Sequence, residues 1–340
     1  MGRLNRARRV RAQRRFATAA CLLALAGCGS TAPAGGSAAP ATPSTPRALD
    51  AQHWRLPTVD AAPTGIAQGS DGAFWVTEEK GNRIARVSTA GAVQEFALPR
   101  PGQPGLAIAS GPDEAQWFTD RGADEVDRVS TSGALQRIRL PAGSAPTGIC
   151  AGPMSALWVT ESGTGTVDRI AVDGTVTPVA HLAADSSPFG IAAGPDGALW
   201  VTEETAIARI TSSGAVTEFP LHEFGAGTLR IVAGTGNAMW FVEQTTSRVG
   251  YVTADGTVRH LPQILDQPTG IARGADGHMW IAEEGAGTID RVDGEQLTRF
   301  VVASPSSGPE DLAPGPSRTM WFTEFNASQV GSFSVDHPGK

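Results

Sequence analysis

Residues 63–79 read PTGIAQGSDGAFWVTEE, and the chain returns to nearly the same words at residues 187–204, SPFGIAAGPDGALWVTEE, and 267–284, QPTGIARGADGHMWIAEE. Trp75 of the first copy is followed by Trp117, Trp158, Trp200, Trp240, Trp280 and Trp321, at intervals of 42, 41, 42, 40, 40 and 41 residues. Self-similarity at one fixed period outranks any local reading, because each unit must bury its apolar face against the next. Inside a unit the pattern is that of strands. Phe189-Gly190-Ile191-Ala192-Ala193 is small and apolar, Pro195-Asp196-Gly197 is a tight-turn sequence, and Leu199-Trp200-Val201-Thr202 is β-branched and aromatic. Ile207-Ala208-Arg209-Ile210 and Ala215-Val216-Thr217-Glu218-Phe219 supply two more strands, parted by Ser213-Gly214. Four short strands in about 40 residues, without helical periodicity, describe a propeller blade.

Counting strands sets the closure. The last unit offers Asp311-Leu312-Ala313, Met320-Trp321-Phe322 and Gln329-Val330-Gly331-Ser332-Phe333, one strand short of a blade. Ahead of the first unit lies Gln52-His53-Trp54-Arg55-Leu56-Pro57, which resembles fourth-strand endings such as Arg259-His260-Leu261-Pro262. The eighth tryptophan, Trp54, is therefore expected in the outer strand of blade 7. The predicted fold is all-β: a seven-bladed β-propeller over residues 51–337, with four antiparallel strands per blade. Its ring is closed by pairing the N-terminal strand with the C-terminal blade, which hides strand edges.

The first fifty residues read differently. Seven arginines fall between Arg3 and Arg15, followed by an apolar run from Ala17 to Ala26 that is too short to span a bilayer. The run ends in Leu25-Ala26-Gly27-Cys28, which resembles the bacterial lipobox. Residues 1–27 are thus expected to be a lipoprotein signal peptide and Cys28 a lipidation site. Residues 28–50, rich in Ser, Ala, Pro and Gly, read as a flexible tether. An exported protein held to the bacterial envelope by its lipid anchor follows. Without the leader arginines, 20 basic residues face 34 acidic ones, a net charge of −14 that repels phosphate backbones, so nucleic acid is not an expected partner. A monomer is expected. Cys150 would be left alone, which gives no intrachain disulfide and reads as a small buried hydrophobe.

The residue after the proline of each repeat belongs to one face of the ring: Thr64, Leu106 (by a shift of one residue), Thr147, Phe189, Leu229 (by alignment, its proline being missing), Thr269 and Glu310. The acids three places after each tryptophan share that face: Glu78, Asp120, Glu161, Glu203, Glu243, Glu283 and Glu324. One acid per blade at seven equivalent places is not a metal ligand set, which needs convergent oxygens. Each is expected to tie its own blade's turn to a third-strand arginine (Arg86, Arg128, Arg169, Arg209 or Arg291) or to backbone N–H groups, with one or two left for chemistry. Broken symmetry is more informative. The position that is Gly65, Gly148, Gly190 and Gly270 elsewhere, and Ala107 in blade 2, becomes Arg230 in blade 5 and Asp311 in blade 7. With Glu310, these charges should meet near the mouth of the central channel, either as a site for a small-molecule or peptide ligand or as an ion pair that plugs it. His222 and Glu223 fall in a loop on the same face. Nucleophile-elbow, phosphate-loop and zinc-protease motifs are absent from the sequence.

The repeated Pro-x-Gly-Ile … Gly-Pro-Asp-Gly-x-x-Trp-(Val/Phe)-Thr-Glu … Ile-x-Arg-(Ile/Val) … Gly-x-Val-x-Glu-Phe resembles the virginiamycin B lyase (streptogramin lyase) family over roughly residues 50–335. The resemblance implies a seven-bladed propeller that opens cyclic depsipeptides at an ester by elimination, with magnesium on the site face. It also implies a tyrosine after the proline of blade 1 and histidines after those of blades 6 and 7. Here those positions are Thr64, Thr269 and Glu310. The glutamate that serves the family's metal matches Glu324. Three functions therefore stand open. One is a divergent C–O lyase with Glu310 as base, Arg230 beside it, and Mg2+ near Glu324, Asp311 and Glu283. The second is a binding propeller without chemistry, using the Arg230, Glu310 and Asp311 mouth. The third is a lactonase-type hydrolase working from the same face.

Overall fold

The computed structural model describes residues 45–99, 104–183, 185–221, 225–302 and 306–339. The leader with Cys28, the tether up to residue 44, and His222 with Glu223 lie outside the described residues. Seven antiparallel sheets follow one another in chain order. Their innermost strands touch around a closed circle, the seventh meeting the first. Blade 1 runs outward through Pro63–Gln68, Phe74–Glu78, Arg83–Val87 and Val93–Ala97. Blade 7 takes Pro309–Gly315, Thr319–Glu324 and Gln329–Ser334 from the end of the chain, and Ala51–Arg55 from its beginning. Trp54 pairs with Val330 in that last ladder, as the closure argument requires. Pairing starts earlier still. Arg47–Ala48 add a parallel fifth strand to blade 6, and Leu49 bridges to Gly339. Among the described residues no helix is long and apolar enough to cross a membrane.

The period of the sequence is the period of the core. Buried apolar residues form seven clusters, each shared by two neighbouring blades, including the junction of blade 7 with blade 1. Trp158 and Val167 of blade 3, for instance, pack with Leu199, Val201 and Ala208 of blade 4. A fully buried large apolar side chain contributes about 1.5–3 kcal/mol, so no blade is stable by its own contacts. The polar edge of six of the tryptophans is satisfied too. Trp75, Trp117, Trp200 and Trp280 donate Nε1–H to Asp71, Asp113, Asp196 and Asp276 of their own hairpin turns. In blades 3 and 5, where a 3-10 turn replaces that hairpin, the acceptors are the carbonyls of Pro153 and Thr235.

The third-strand arginines depart from expectation. Arg86, Arg128 and Arg209 pair with Asp71, Asp113 and Asp196 at 2.6, 2.5 and 2.6 Å, and not with the acids after the tryptophans. The register explains it. Arg86 stands opposite Trp75, whereas Glu78 stands opposite Arg83, so arginine and glutamate sit at opposite ends of the ladder, roughly 10 Å apart. Arg169 approaches the Met154 sulfur at 3.0 Å, and Arg291 turns to Asp293.

One irregularity positions the site. The register between the first two strands slips right after the proline in blades 1, 2, 3, 6 and 7 and after Thr228 in blade 5, a bulge that re-aims the residues that follow. The threonine just before the glutamate in Trp-Val-Thr-Glu supports the bend. Thr77, Thr160, Thr202 and Thr323 accept the N–H of Gly65, Gly148, Gly190 and Asp311 through Oγ1, at 2.9, 2.8, 2.7 and 3.1 Å. Thr119, Thr160, Thr202 and Thr323 also donate to the next blade, to the carbonyls of Thr147, Phe189, Leu229 and Thr64. The last of these stitches blade 7 to blade 1. Blades 5 and 6 carry Val242 and Ala282 at this place, so the hydroxyl is missing around blade 6.

Candidate functional site

The first strands line a cavity of about 340 Å³ along the ring axis. Its girdle is aliphatic: Ile66, Ile108, Ile149, Ile191, Ile231, Ile271 and Leu312, one from each blade. Cys150 lies in this wall, and burial pushes its thiol up to about 12, which keeps it an unreactive small hydrophobe. Phe189 and Leu229 continue the lining, both partly exposed, whereas Thr64, Thr147 and Thr269 in the same column are buried. Thr269 donates to the carbonyl of Pro309 at 3.3 Å, which makes it a scaffold residue.

Arg230 and Asp311 meet in the lining, with Nη2 3.0 Å from Oδ2. The pair joins blade 5 to blade 7 and passes blade 6, whose residue in this column is Gly270. A Cβ there would stand 2.6 Å from the Glu310 carbonyl oxygen and 2.8 Å from Asp311 Cα, so only glycine lets the three blades close up. Asp311 is held from two further sides. Its Oδ2 accepts the Ile66 N–H of blade 1 at 3.1 Å, and its own N–H goes to Thr323. Burial raises the Asp311 carboxyl above its ordinary range, and the Arg230 guanidinium pulls the other way. The two partners differ in access: 21% of the Arg230 side chain is exposed against 7% of Asp311, and both line the cavity. Glu310, the neighbour of Asp311, is partly exposed and is not part of the channel lining. The structure thus unites two of the three charges expected at the mouth and leaves the third at its edge.

The acids after the tryptophans are all buried, and they turn outward to the third and fourth strands of their own blades. Their partners come diagonally from the fourth strand, from the residue level with the second-strand position two places before the acid. Glu324 Oε1 receives His53 at 2.7 Å and Gln329 at 3.0 Å, and Glu243 Oε1 meets His260 at 3.0 Å. Glu283 receives Arg299 at 2.6 Å, together with the Asp266 N–H. In blades 1, 3 and 4 the near neighbour is another acid. Burial and then Glu95 raise Glu78 to about 8, and both its carboxylate oxygens are buried without a hydrogen-bond partner. Burial and then Glu218 raise Glu203 to about 7. Burial and then Glu161 raise Asp168. Sequence reading missed these fourth-strand partners. The ladders set His53 against Gly331 and His260 against Gly250, a register that the period of the sequence does not fix.

The carboxylates expected at a metal, Glu324, Asp311 and Glu283, occupy three separate settings, each with its own cation or donor. No group of three His, Cys, Asp or Glu side chains able to hold a metal occurs among the described residues. Glu324 Oε2 is buried without a hydrogen-bond partner, and magnesium is commonly held by one or two carboxylates with water completing its shell. Of the other histidines, His181 approaches the Thr166 hydroxyl at 3.2 Å, and His278 bridges Asp276 and Asp293.

Comparison with solved structures gives a consistent picture. Selenomethionine-substituted virginiamycin B lyase from Staphylococcus aureus is 30% identical and superposes with a TM-score of 0.78, covering 84% of this chain and 99% of that one. A streptogramin B lyase structure is 27% identical, with a TM-score of 0.78 over 84% and 97% of the two chains. Kuenenia stuttgartiensis hydrazine synthase shares the fold at 17% identity, with a TM-score of 0.68 over 82% and 97% of the chains. Among curated proteins none matches. The family model described as "Virginiamycin B lyase family" matches residues 47–183 and 169–338, which together span the propeller. By its repeats, its ring closure and these matches, the chain belongs to the virginiamycin B lyase family.

Proposed function

We propose that this propeller opens cyclic depsipeptides, or related esters, by C–O elimination at the site-face mouth. Family membership over the whole ring is the observation that carries the reading. In the reaction a base removes the proton from a carbon between a carbonyl and the ester C–O bond. The electron pair moves to the carbonyl oxygen as an enolate, then returns to form C=C while the C–O bond breaks. The leaving group is the ester's carboxylate, and the base later gives its proton to water. Glu310 is the candidate base, placed on the bulge that opens at the mouth. Arg230 supplies the positive charge where the enolate forms. Phe189 and Leu229 offer an apolar wall, Phe189 from the blade beside that of Arg230 and Leu229 from its own.

The test is the mass of the product. A catalytically inactive variant of the Staphylococcus aureus enzyme has been crystallised with quinupristin, which serves as the probe. Elimination within a ring yields a linear isomer of unchanged mass, whereas lactonase-type hydrolysis adds one water. The reading predicts the isomer, and its loss in Glu310→Gln. A purified chain that leaves quinupristin intact, or adds water to it, rejects the lyase. The second reading, a ligand-binding propeller without chemistry, draws on Thr64 and Thr269: both are buried, and Thr269 is taken up by backbone. It predicts that quinupristin binds and is recovered unchanged.

An envelope location through Cys28 belongs to the same proposal. Globomycin-sensitive processing, or its absence, tests that part separately.

A further inference from the structure

We infer that the buried Glu161–Asp168 pair of blade 3 is a site for a hard divalent cation, Ca2+ by its spacing. The inference does not depend on the lyase reading, since neither residue lines the channel. It comes from setting the blades beside one another. The residue just before the third-strand arginine column is small in four blades, Ala85, Ala208, Gly250 and Gly331, and aspartate in three, Asp127, Asp168 and Asp290. Each faces one position of the fourth strand. Opposite the small residues stand Glu95, Glu218, His260 and His53. Opposite Asp127 and Asp290 stand Arg137 and Arg299. Where the third strand adds an acid, the fourth strand answers with a guanidinium, except in blade 3. There Asp168 faces Pro178, which brings neither charge nor donor.

Blade 6 shows what this acid pair does with a cation. Arg299 Nη2 stands 2.6 Å from Glu283 Oε1 and 3.1 Å from Asp290 Oδ2, so one positive centre is shared by two carboxylates. Glu161 and Asp168 are the corresponding residues of blade 3. Each is only 1% exposed, and Glu161 Oε1 and Asp168 Oδ1 have no hydrogen-bond partner. The two carboxyls lie within hydrogen-bond reach of each other, but as carboxylates both only accept, so neither serves the other. Two anions buried side by side need a counter-charge, and a divalent cation cancels both. Ca2+ takes oxygens at about 2.3–2.6 Å and Mg2+ at about 2.0–2.1 Å. The Arg299 nitrogen, at 2.6 and 3.1 Å from its two oxygens, marks a place closer to the size of Ca2+. Water can complete the shell from the rim, where Pro178, His181 and Thr164 are exposed, Thr164 donating to Glu161 Oε2. The acid pairs of blades 1 and 4 lack this combination: Arg83 lies 3.8 Å from Glu95, and Glu218 is exposed.

Calorimetric titration of the full chain at pH 8 with Ca2+ alone, and with Mg2+ alone, is the test. We expect a saturable Ca2+ site in the parent that Asp168→Asn weakens by about 10-fold or more and that Glu324→Gln keeps. The Glu324 variant separates this site from any cation held in blade 7. Pro178→Arg gives blade 3 the guanidinium of blade 6. It should remove the Ca2+ site and leave the metal-free melting temperature at or above that of the parent, so the test stands even if Asp168→Asn fails to fold. Saturating Ca2+ should raise the melting temperature of the parent and leave that of Pro178→Arg unchanged. A pair that holds only a shared proton would show no Ca2+ binding that depends on Asp168. The inference is overturned by a parent without a saturable Ca2+ site, or by Ca2+ binding that neither Asp168→Asn nor Pro178→Arg diminishes. An Asp168-dependent site that takes Mg2+ more tightly than Ca2+ overturns the assignment to Ca2+.

Discussion

His53 Nδ1 stands 2.7 Å from Glu324 Oε1, and through that contact the strand Ala51–Arg55 holds the last blade. The same device recurs once, in His260 with Glu243, and both rings lie edge-on to a phenylalanine, Phe322 or Phe241. The two blades that share it are those that carry Asp311 and Arg230. Removing the imidazole would leave Glu324 with Gln329 alone. His53→Ala should cost about 1–3 kcal/mol in a urea melt, the scale of a buried acceptor deprived of its donor. An unchanged midpoint would show that the closure does not depend on the pair.

Buried acids make stability depend on pH in a defined direction. Glu78 and Glu203 are raised from 4.5 to about 8 and about 7, and Asp168 and Glu283 are raised as well. The folded chain therefore holds more protons than the unfolded one between about pH 4.5 and 8. Their favourable contribution is complete below about pH 4.5 and disappears as pH rises through 7 to 8. Asp71, Asp113 and Asp196 are lowered, net, by their arginine and tryptophan partners against the cost of burial, so their contribution is lost only as pH falls below about 4. The urea midpoint should peak between about pH 4.5 and 6 and decline by pH 8.5. Glu203→Gln should flatten that decline by something on the order of 2 kcal/mol. A midpoint that rises steadily from pH 6 to 8.5 would contradict the assignment.

Thr160 Oγ1 accepts the Gly148 N–H at 2.8 Å and donates to the Phe189 carbonyl of the next blade at 2.6 Å. Valine has the same shape without the hydroxyl. Thr160→Val should cost about 1–3 kcal/mol and raise amide exchange at Gly148, read by hydrogen–deuterium exchange. Exchange unaltered at that amide would mean that the bulge does not need its threonine.

Gly270→Ala puts a methyl group 2.6 Å from the Glu310 carbonyl oxygen, against backbone that cannot swing aside. Overpacking of this kind costs about 1–3 kcal/mol. Because blade 6 lies between Arg230 and Asp311, the same substitution should also weaken quinupristin binding, measured by calorimetry. Gly197→Ala is the control: its left-handed φ of 76° makes it strained as well, yet a Cβ there meets no atom within 4 Å, so it should cost stability without touching binding.

Fold and closure were legible because both are written in apolar residues at a fixed period. Trp54 could be placed in blade 7 from one resembling hexapeptide, and Arg230 with Asp311 could be singled out because they break a column of glycines. The partners of the seven acids were not legible. They depend on which fourth-strand residue faces the end of the second strand, and that register is set by turn geometry. Period alone does not fix it. Arg86 and Glu78, eight residues apart, look like natural partners in sequence, yet the antiparallel ladder sends them to opposite ends. The second-strand threonines escaped attention for a similar reason. Thr77 reads as an ordinary strand residue until the bulge beside it exposes the Gly65 N–H that it accepts.

The account places function where blades 5 and 7 depart from the repeat. A crystal structure of Glu310→Gln soaked with quinupristin tests this most directly. The account predicts the depsipeptide at the site-face mouth, its ring against Phe189 and Leu229, with a carbonyl oxygen within hydrogen-bond distance of Arg230. Quinupristin bound on the opposite face, or at the mouth without contact to Arg230, would contradict it.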